Sequence, residues 1–259
     1  MIRVTVAGAT GRLGSMVCSM IQAHADMRLV GAIVSSSGGH VGKELAPGVI
    51  AIGPDGLEAV LRETDVFVDL TNAEAAPGNL AVAVASGVNC VVGTTGIGPE
   101  ALKDFNEKVH QRNLSAVVSP NFSVGVNVFW KACEVLAGAL DGYEVEIIEV
   151  HHDKKKDAPS GTAMKAADII SKATDVDKYV YGRQGMVGAR GREVGIHAVR
   201  AGDVVGEHTV IFAGNRERIE LTHRAHSREA FMEGCITAIR WVYERKDGKV
   251  HTMAEVLGI

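Results

Sequence analysis

The first half of the chain alternates short, continuously apolar runs with longer runs in which apolar residues recur at helical spacing. The apolar runs predict buried strands, and the periodic runs between them predict helices. Continuous apolar strands that alternate with helices are typical of a parallel sheet covered on both faces. We therefore predict an α/β fold with a doubly wound parallel sheet. The predicted strands are residues 2–7, 28–34, 49–52, 66–70, 88–92 and 115–118, and the predicted helices are one ending near His24, 58–63, 73–86 and 99–112.

The pattern changes after Phe122, where a wide apolar helix over 124–139 is followed by strand-like runs. We predict a smaller α+β domain here, with meander connections and a hairpin turn at Gly214-Asn215. An amphipathic helix over about 228–243 should return to the first domain. The predicted domains are residues 1–121, completed by a C-terminal helical segment 225–259, and residues 122–224. The predicted strands of the smaller domain are 145–150, 194–200, 208–213 and 218–222.

Composition narrows the class of protein without identifying it. A chain of 259 residues is long enough for two domains, and its net charge of -4 argues against general binding to nucleic acid or a membrane surface. No apolar run reaches the length of a membrane span, and the chain enters a strand at once, so we expect no signal peptide. The four cysteines lie far apart without a CxxC pair, which predicts buried, reduced thiols and a cytoplasmic location.

A glycine turn follows the first predicted strand directly. It runs Gly8-Ala9-Thr10-Gly11-Arg12-Leu13-Gly14, in the spacing Gly-x-x-Gly-x-x-Gly. Glycines in this position let the backbone approach a pyrophosphate, which then lies at the N-terminus of the next helix. Such a turn at the start of a βαβ unit indicates a Rossmann-like dinucleotide-binding domain, although it could also connect strand to helix without a ligand. The predicted cofactor-binding residues of the turn are Gly8, Ala9, Thr10, Gly11, Arg12 and Leu13.

Two further loops follow predicted strands of the same sheet. One is Gly93-Thr94-Thr95-Gly96 and the other is Ser119-Pro120-Asn121-Phe122. Ligands of open α/β sheets bind outside the carboxyl ends of the strands, where both loops fall. Each loop alone could be an ordinary turn, but together with the glycine turn they form a consistent cofactor crevice. The predicted cofactor-binding residues of these loops are Gly93, Thr94, Thr95, Ser119, Pro120, Asn121 and Phe122.

The second predicted strand ends in Ser35-Ser36-Ser37, where an NAD-selective protein usually carries an acidic residue for the ribose hydroxyls. Because the turn contains no carboxylate, nothing there would repel a 2′-phosphate. The side chain of Arg12 or Lys43 could bind that phosphate. We therefore predict a preference for NADPH, with NADH also accepted.

The stretch 149–162 concentrates titratable side chains between a predicted strand and a predicted helix. It carries two imidazoles and three ammonium groups, and Ser160 is a suitable N-cap for the helix. Free N–H groups at a helix N-terminus attract anions. The stretch therefore predicts an acid–base site for a substrate that carries carboxylates. The alternative is a solvated basic surface loop, because runs of charge usually lie on solvated faces.

Several blocks of sequence in order resemble the dihydrodipicolinate reductase family, whose members are 4-hydroxy-tetrahydrodipicolinate reductases. The most specific block runs from Glu146 through His151-His152 and Lys155 to Asp157-Ala158-Pro159-Ser160-Gly161-Thr162-Ala163. The resemblance covers nearly the whole chain. The other blocks are the glycine turn and residues 92–96, 121–127, 200–209 and 222–228.

The resemblance implies a dinucleotide-binding domain and a substrate domain that also builds the interface of a homotetramer. It implies NAD(P)H-dependent reduction of a small dicarboxylate in diaminopimelate and lysine biosynthesis. One departure concerns the cofactor, because many members carry an acidic and a basic residue where this chain has Ser35 and Ser36. That departure bears on cofactor preference and leaves the implied reaction unchanged.

The resemblance also implies a role for each matched residue. His151 is the implied proton donor or acceptor, Lys155 an implied proton donor and His152 an implied substrate contact. The backbone N–H groups of Gly161 and Thr162 are implied to hold a substrate carboxylate. Acid–base chemistry agrees with these roles, because hydride transfer to a conjugated cyclic imine leaves negative charge that a positioned acid must neutralise.

Two other functions remain open on the sequence alone. A two-domain semialdehyde or amino-acid dehydrogenase would share the first half, but it should show its own catalytic group, such as a loop cysteine. A non-catalytic NAD(P)H-binding homologue would keep the glycine turn without needing the acid–base stretch. His223 and His226 lack the carboxylate or thiolate partners of a metal site, so we expect no metal. Residues 179–195 fit either a mobile loop or a subunit contact.

Overall fold

The computed structural model describes residues 1–259, which separate into two compact units. Unit 1 comprises Met1–Ser123 and Phe231–Gly258, and unit 2 comprises Val124–Ala230 together with Ile259. The chain therefore leaves unit 1 once and returns to it with its C-terminal segment.

The chain contains thirteen strands and eight α-helices. The strands are β1 (Ile2–Ala7), β2 (Met27–Ile33), β3 (Glu44–Ala46), β4 (Val49–Ile52), β5 (Val66–Asp69), β6 (Asn89–Val92), β7 (Ser115–Val118), β8 (Glu144–His151), β9 (Tyr179–Tyr181), β10 (Val194–Arg200), β11 (Glu207–Gly214), β12 (Glu217–Arg224) and β13 (Lys249–His251). The helices are α1 (Arg12–Ala23), α2 (Leu57–Leu61), α3 (Ala76–Ala85), α4 (Pro99–Gln111), α5 (Val124–Ala139), α6 (Gly161–Thr174), α7 (Glu229–Tyr243) and α8 (Met253–Leu257). Each individually predicted strand and helix has an observed counterpart whose ends differ by a few residues.

The sheet of unit 1 has eight strands in the order β13-β7-β6-β5-β1-β2-β4-β3. Every neighbouring pair is parallel except β3 and β4. The order changes direction between β1 and β5, and open α/β sheets bind ligands at such a switch point. The predicted doubly wound α/β fold is therefore confirmed.

Helices cover both faces of this sheet. On one face, α1 and α7 contribute to a core that contains Val4 and Ile236. On the other face, α2, α3 and α4 contribute to a core that contains Phe67, Leu80 and Phe105. β5 and β6 are buried along their whole length, which explains why they appear in the sequence as continuous apolar runs without alternation.

Two strands of unit 1 have no counterpart in the sequence predictions. β3 and β13 contain three residues each, which is too short for an alternating pattern to show. β13 pairs with β7, so the C-terminal segment adds a strand as well as helices to the unit. The following helix, α8, begins with a capping box formed by Thr252 and Glu255.

Unit 2 holds a sheet of five strands in the order β12-β11-β8-β10-β9. β8 pairs parallel with β10 and antiparallel with β11. A parallel pairing needs a crossover, and α6 lies between β8 and β10 in the chain. The prediction of meander connections therefore holds only for the hairpin of β11 and β12, because β8 lies between β10 and β11 and pairs parallel with β10. The helices α5 and α6 share a core with the sheet that includes Trp130, Ile147, Ile170 and Val210.

The hairpin of β11 and β12 turns one residue later than predicted. Asn215 and Arg216 both have positive φ values, 48° and 67°, as a type I′ turn requires. Gly214 is the last residue of β11, and a Cβ there would lie 3.0 Å from the ring of Tyr143. Packing therefore explains Gly214, while Asn215 supplies the left-handed backbone of the turn.

The alternation of β8 decides which side chains share a face. Val145, Ile147, Glu149 and His151 are buried, whereas the residues between them are more exposed. Successive side chains of a strand point to opposite faces, so Glu149 and His151 lie on the same face as the apolar core residues of unit 2. A carboxylate and an imidazole thus occupy positions where the strand pattern otherwise places apolar side chains.

Candidate active site

The glycine turn after β1 has a backbone that only glycine fits at two positions. Gly8 has a φ of +78°, and a Cβ there would lie 2.4 Å from the carbonyl oxygen of Leu70. A Cβ at Gly14 would lie 2.0 Å from the carbonyl oxygen of Gly8. The helix α1 starts after Gly11, and no side chain caps its N-terminus. The turn therefore leaves its first helical N–H groups without a side-chain cap, which fits the pyrophosphate of a dinucleotide.

The two other predicted cofactor loops lie at the carboxyl ends of neighbouring strands, β6 and β7. A Cβ at Gly93 would lie 2.6 Å from the side chain of Leu70 and 2.9 Å from the ring of Phe122, so the first of these loops packs against the second. Ser119 donates from its hydroxyl to the carbonyl oxygen of Asn121 at 2.7 Å, which closes the second loop on itself. The structure thus brings together the three loops that the sequence predicts for the cofactor.

A buried carboxylate that the sequence predictions omit supports the first of these loops. Asp69, at the end of β5, accepts hydrogen bonds from the hydroxyls of Thr94 at 2.5 Å and Thr71 at 2.7 Å, and from the amide of Asn79 at 2.9 Å. The hydroxyl of Thr94 is therefore engaged inside the protein.

The three serines after β2 lie on the surface. Ser35 caps a short 3-10 helix over Ser36–Gly38, and its hydroxyl lies 2.9 Å from that of Ser37. All three serines are exposed, as is Lys43. No acidic side chain stands in this turn, as the sequence indicates.

The stretch 149–162 forms its site around a carboxylate that is 0% exposed, that of Glu149. Its Oε2 atom lies 2.5 Å from Nδ1 of His151 and accepts from Nη1 of Arg200 at 2.9 Å. Its Oε1 atom accepts from Nη2 of Arg200 and from the backbone N–H of Ser160, each at 3.0 Å. Burial alone would raise the pKa of Glu149, but the hydrogen bonds with His151 and Arg200 lower it to about 2. Glu149 is therefore ionised at neutral pH.

The ring of His151 is held from several sides and is only 8% exposed. The ring of His208 meets it edge-on, with 5.1 Å between ring centroids. A Cβ at Gly206 would lie 3.0 Å from Nε2 of His151, which is tighter than an ordinary van der Waals contact, so the backbone passes close to the ring here. His208 itself contacts the hydroxyl of Ser160 at 3.0 Å. Burial lowers the pKa of His208 to about 3, so that imidazole is neutral.

Of the three lysines after His151, one is half-buried and two are exposed. Nζ of Lys155 lies 2.9 Å from a carboxylate oxygen of Asp157, and the Lys155 side chain is 20% exposed. Lys154 and Lys156 are exposed, as a solvated surface loop would have them. The surface-loop interpretation therefore describes these two lysines, while His151 and Lys155 are sheltered from solvent.

His152 contacts the side chain of Arg228, which belongs to the same unit. Its Nε2 atom lies 3.3 Å from Nη2 of Arg228, which precedes α7. Burial and the nearby Arg228 lower the pKa of His152. A neutral imidazole beside a guanidinium is suited to hydrogen-bond an anionic group. Sequence reasoning did not single out Arg228, although it lies in one of the matched blocks.

The N-terminus of α6 follows this loop directly in the chain. Ser160 caps this helix of 14 residues by accepting from the backbone N–H of Ala163 at 3.2 Å, as predicted from the sequence. The space beside Gly161 is open, since a Cβ there would meet nothing within 4 Å. The carbonyl of Thr162 accepts from the indole N–H of Trp130 at 3.1 Å, which anchors the first turn. The helix start is thus capped and anchored, and it is exposed at Gly161.

The structure gives less support to a cysteine nucleophile or to a metal site. The four cysteines are free and buried, as predicted, and burial raises the pKa of Cys18, Cys133 and Cys235 to about 12. His223 lies near His208 with 6.4 Å between centroids, while His226 is exposed. No group of three or more His, Cys, Asp or Glu side chains is placed to hold a metal ion. None of the helices combines the length and apolarity that a bilayer crossing demands.

A glycine turn at the switch point of a Rossmann-like sheet, with a separate unit that carries a buried carboxylate–imidazole pair, is typical of a two-domain nicotinamide-dependent oxidoreductase. Family models place the chain within that class. The model for the N-terminus of dihydrodipicolinate reductase matches residues 2–122, and the model for its C-terminus matches residues 125–257. The chain therefore belongs to the dihydrodipicolinate reductase family.

Curated relatives and a solved structure agree with this family. The chain is 48% identical over 265 residues to the 4-hydroxy-tetrahydrodipicolinate reductase of Methanosarcina barkeri, with 100% of both chains covered. It is 48% identical over 270 residues to the enzyme of that name from Methanocaldococcus jannaschii, covering 100% of this chain and 98% of the other. A dipicolinate-bound dihydrodipicolinate reductase from Paenisporosarcina sp. TG-14 superposes with a TM-score of 0.81 at 27% identity, over 98% of each chain.

The fold alone is shared more widely. A variant meso-diaminopimelate dehydrogenase from Clostridium tetani superposes with a TM-score of 0.60 at 14% identity, covering 100% of this chain and 94% of the other. Such a likeness shows a common architecture. It explains why the first half of the sequence could not by itself exclude an amino-acid dehydrogenase.

Proposed function

We propose that the chain catalyses the NAD(P)H-dependent reduction of (2S,4S)-4-hydroxy-2,3,4,5-tetrahydrodipicolinate to tetrahydrodipicolinate, in diaminopimelate and lysine biosynthesis. The observation that carries the proposal is the buried pair of Glu149 and His151, with the half-buried Lys155 in the loop that follows, in a chain of this family. Loss of water from the substrate gives a conjugated dicarboxylate, dihydrodipicolinate. Reduction of that compound consumes one hydride and one proton.

His151 is the proposed proton donor in this reaction. NAD(P)H, when bound, supplies the hydride, and the conjugated substrate then carries the negative charge that the hydride brings. Nε2 of the protonated His151 transfers its proton to the substrate carbon that carries this charge. The ammonium group of Lys155 stabilises the same charge and is the second proposed proton donor. Glu149 stays ionised throughout.

The start of α6 and His152 form the proposed carboxylate-binding part of the site. The backbone N–H groups of Gly161 and Thr162 lie in the first turn of the helix, where the helix dipole favours an anion. His152, backed by Arg228, lies in the same unit and contributes a further hydrogen bond. A substrate with two carboxylates matches this set of donors better than a neutral substrate would.

The proposed cofactor site is formed by the glycine turn and the two loops beyond β6 and β7. A Cβ at Gly8 or at Gly93 would clash with Leu70, so both of these loops pack against the residue that follows β5. NADPH is the proposed preference, with NADH also used, because the exposed Ser35, Ser36 and Ser37 carry no charge that would repel a 2′-phosphate. The ratio of kcat/KM for the two cofactors tests this preference.

A homotetramer in the cytoplasm is the proposed state of the protein. The face of the unit 2 sheet opposite α5 and α6 is partly apolar, and it includes Ile148, Ile211 and the 41% exposed Val199. An open apolar sheet face is typical of a surface that another protein chain covers. Four buried, free thiols suit a reducing compartment. Light scattering on the purified protein measures the mass that tests the tetramer.

Oxidation of NADPH and of NADH by freshly generated substrate tests the proposed reaction. The enzyme should oxidise either cofactor only when the substrate is present, with saturation in both. A protein that binds a cofactor yet oxidises neither would instead be a non-catalytic homologue. Oxidation with meso-diaminopimelate and NADP+, in the absence of this reductase activity, would favour an amino-acid dehydrogenase.

A further inference from the structure

Every hydrogen-bond acceptor position of the Glu149 carboxylate faces a donor. An ionised carboxylate offers about four lone-pair positions, two on each oxygen. The N–H groups of Arg200 occupy one position on each oxygen, and the backbone N–H of Ser160 occupies the second on Oε1. The remaining position on Oε2 faces Nδ1 of His151 at 2.5 Å. Since Glu149 can only accept, Nδ1 of His151 must be the donor.

Resting on the proposed function, we propose that Glu149 is the positioning residue of His151. It keeps the proton of His151 on Nδ1 and thereby reserves Nε2 for proton exchange with the substrate. In the proton-transfer step, the N–H bond at Nε2 breaks and the new C–H bond forms on the substrate. His151 ends as the neutral imidazole that still carries its Nδ1 proton, and a proton from solvent later restores the imidazolium.

Arg200 links this pair to the rest of the site. Its Nη2 atom donates both to Glu149 and to the carbonyl oxygen of Asp157, at 3.0 Å and 2.5 Å. The side chain of Asp157 in turn pairs with Lys155. One guanidinium therefore fixes the carboxylate behind His151 and the loop that carries Lys155. This arrangement holds both proposed proton donors relative to a single buried anchor within unit 2.

The ring of His151 also lacks freedom to turn away from Glu149. His208 meets it edge-on, and the backbone at Gly206 passes close to its Nε2 edge. A ring flip would exchange Nδ1 for Cδ2 and leave the buried carboxylate without its fourth donor. Loss of a partner for a buried charge is costly, so the structure favours one ring orientation.

A matched control lies on the same strand. Glu146 is bound by Arg183 and Arg190, and it lies 2.7 Å from Nε2 of His197. Hydrogen bonds with Arg183 and His197 outweigh its burial and lower the pKa of Glu146 to about 2. The substitution Glu146→Gln therefore removes a carboxylate of similar chemistry from β8. The histidine that it affects has no proposed role in the reaction.

The kinetic test compares Glu149→Gln with Glu146→Gln and the wild type. A glutamine cannot accept on all four positions, so His151 loses its fixed tautomer. We expect kcat of Glu149→Gln to fall by roughly 10-fold or more, the lower end of the range for residues that orient metal-binding histidines, with KM for the substrate changed by less than about threefold. Glu146→Gln should retain wild-type kcat, with its mass in light scattering unchanged.

The pH dependence gives a second readout that a merely structural role would not move. Removal of the carboxylate takes a negative charge from the side of His151, so the kcat profile of Glu149→Gln against pH should differ from that of the wild type. Glu146→Gln should leave that profile in place. The titratable and charged groups around His151 are Glu149, His152, Lys155, Arg200, His208 and His223. Glu149→Gln changes one of these groups, and Glu146→Gln changes none of them.

The deciding measurement is the nitrogen NMR spectrum of 15N-histidine-labelled wild-type protein, with His151 assigned by its loss in His151→Gln. Neutral His151 should carry its proton on Nδ1, and Glu149→Gln should lose that uniform tautomer. A wild-type spectrum with the proton on Nε2 would overturn the proposal, as would wild-type kcat and pH profile in Glu149→Gln. The wild-type spectrum decides alone where Glu149→Gln does not fold. It is also independent of turnover, so a wild-type protein without reductase activity would refute the proposed function while the tautomer is still measured.

Discussion

Glu146 and Glu149 lie three residues apart on β8, and each carboxylate meets a histidine and at least one arginine on its own side of the sheet. Odd spacing along a strand places the two side chains on opposite faces. Glu149 is completely buried beside His151, whereas Glu146 is bound by the arginines of the segment before β10. The same chemical pairing thus occurs twice, and it is the carboxylate of Glu149 that accepts from Ser160 at the start of α6.

Replacing His151 with glutamine should reduce kcat by roughly 10²-fold or more, the usual range for loss of a general acid. Glutamine keeps much of the polarity and size of the side chain but cannot deliver a proton at neutral pH. Steady-state oxidation of NADPH at saturating substrate measures the effect. His197→Gln, which loses the other histidine paired with a carboxylate, should keep wild-type turnover. Equal turnover in His151→Gln and the wild type would remove His151 from the mechanism.

Replacing Lys155 with methionine should lower kcat by about 10- to 10²-fold, because the site loses a positive charge near the developing anion. Methionine keeps the apolar stem of the side chain. Lys154→Met and Lys156→Met are the matched controls, since both lysines are exposed and neighbour Lys155 in sequence. The same loss in all three variants would show a general attraction of the dianionic substrate in place of a specific role for Lys155.

Introducing a carboxylate at Ser35 should invert the proposed cofactor preference. In Ser35→Asp, the new charge repels a 2′-phosphate and can hydrogen-bond the ribose hydroxyls of NADH. We expect kcat/KM for NADPH to fall by about tenfold or more, with the value for NADH unchanged or raised. Ser35→Ala serves as the neutral control. If Ser35→Asp and Ser35→Ala give the same cofactor ratio, this turn does not contact the 2′ position.

Stability should depend on pH through His208. Its pKa is about 3 in the folded protein because of burial, against an ordinary value of 6.5 for histidine. Only the unfolded chain therefore binds this proton as the pH falls below about 6.5, and stability is lost progressively down to about pH 3. One such proton changes the free energy of unfolding by at most about 1.4 kcal/mol per pH unit.

Urea unfolding between neutral and mildly acidic pH measures this contribution. The wild type should lose stability more steeply than His208→Gln, since glutamine binds no proton in either state and can still hydrogen-bond the hydroxyl of Ser160. Both proteins are compared at each pH, so that changes common to other groups cancel. Parallel pH dependences in the two proteins would show that His208 does not titrate differently on folding.

The sequence was sufficient for elements whose pattern is long or chemically distinctive. The continuous apolar strands predicted the parallel sheet, and Ser160 marked the start of α6 because its hydroxyl satisfies a helix N–H group. β13 could not be found, since three residues show no periodicity. The turn after β11 was misplaced because Gly214 favours a turn by type, yet it serves packing against Tyr143.

Some residues of the site could be predicted from the sequence, and others could not because their partners are distant in the chain. His151 and Lys155 belong to a motif that resemblance identifies, whereas the part played by Glu149 depends on partners distant in sequence. Arg200 is 51 residues away from Glu149, so no local pattern reports their hydrogen bonds. A glutamate at a buried strand position two residues before a histidine was the available signal, because a buried charge needs a partner.

The fate of the hydride tests the central claim most directly. The reductase is incubated with freshly generated substrate and a nicotinamide cofactor that carries deuterium at both positions of its hydride-donating carbon, and the product is analysed by mass spectrometry. The proposed function predicts tetrahydrodipicolinate that contains one deuterium per oxidised cofactor, formed far more slowly by His151→Gln. Cofactor that stays reduced, or a product without deuterium, would contradict it.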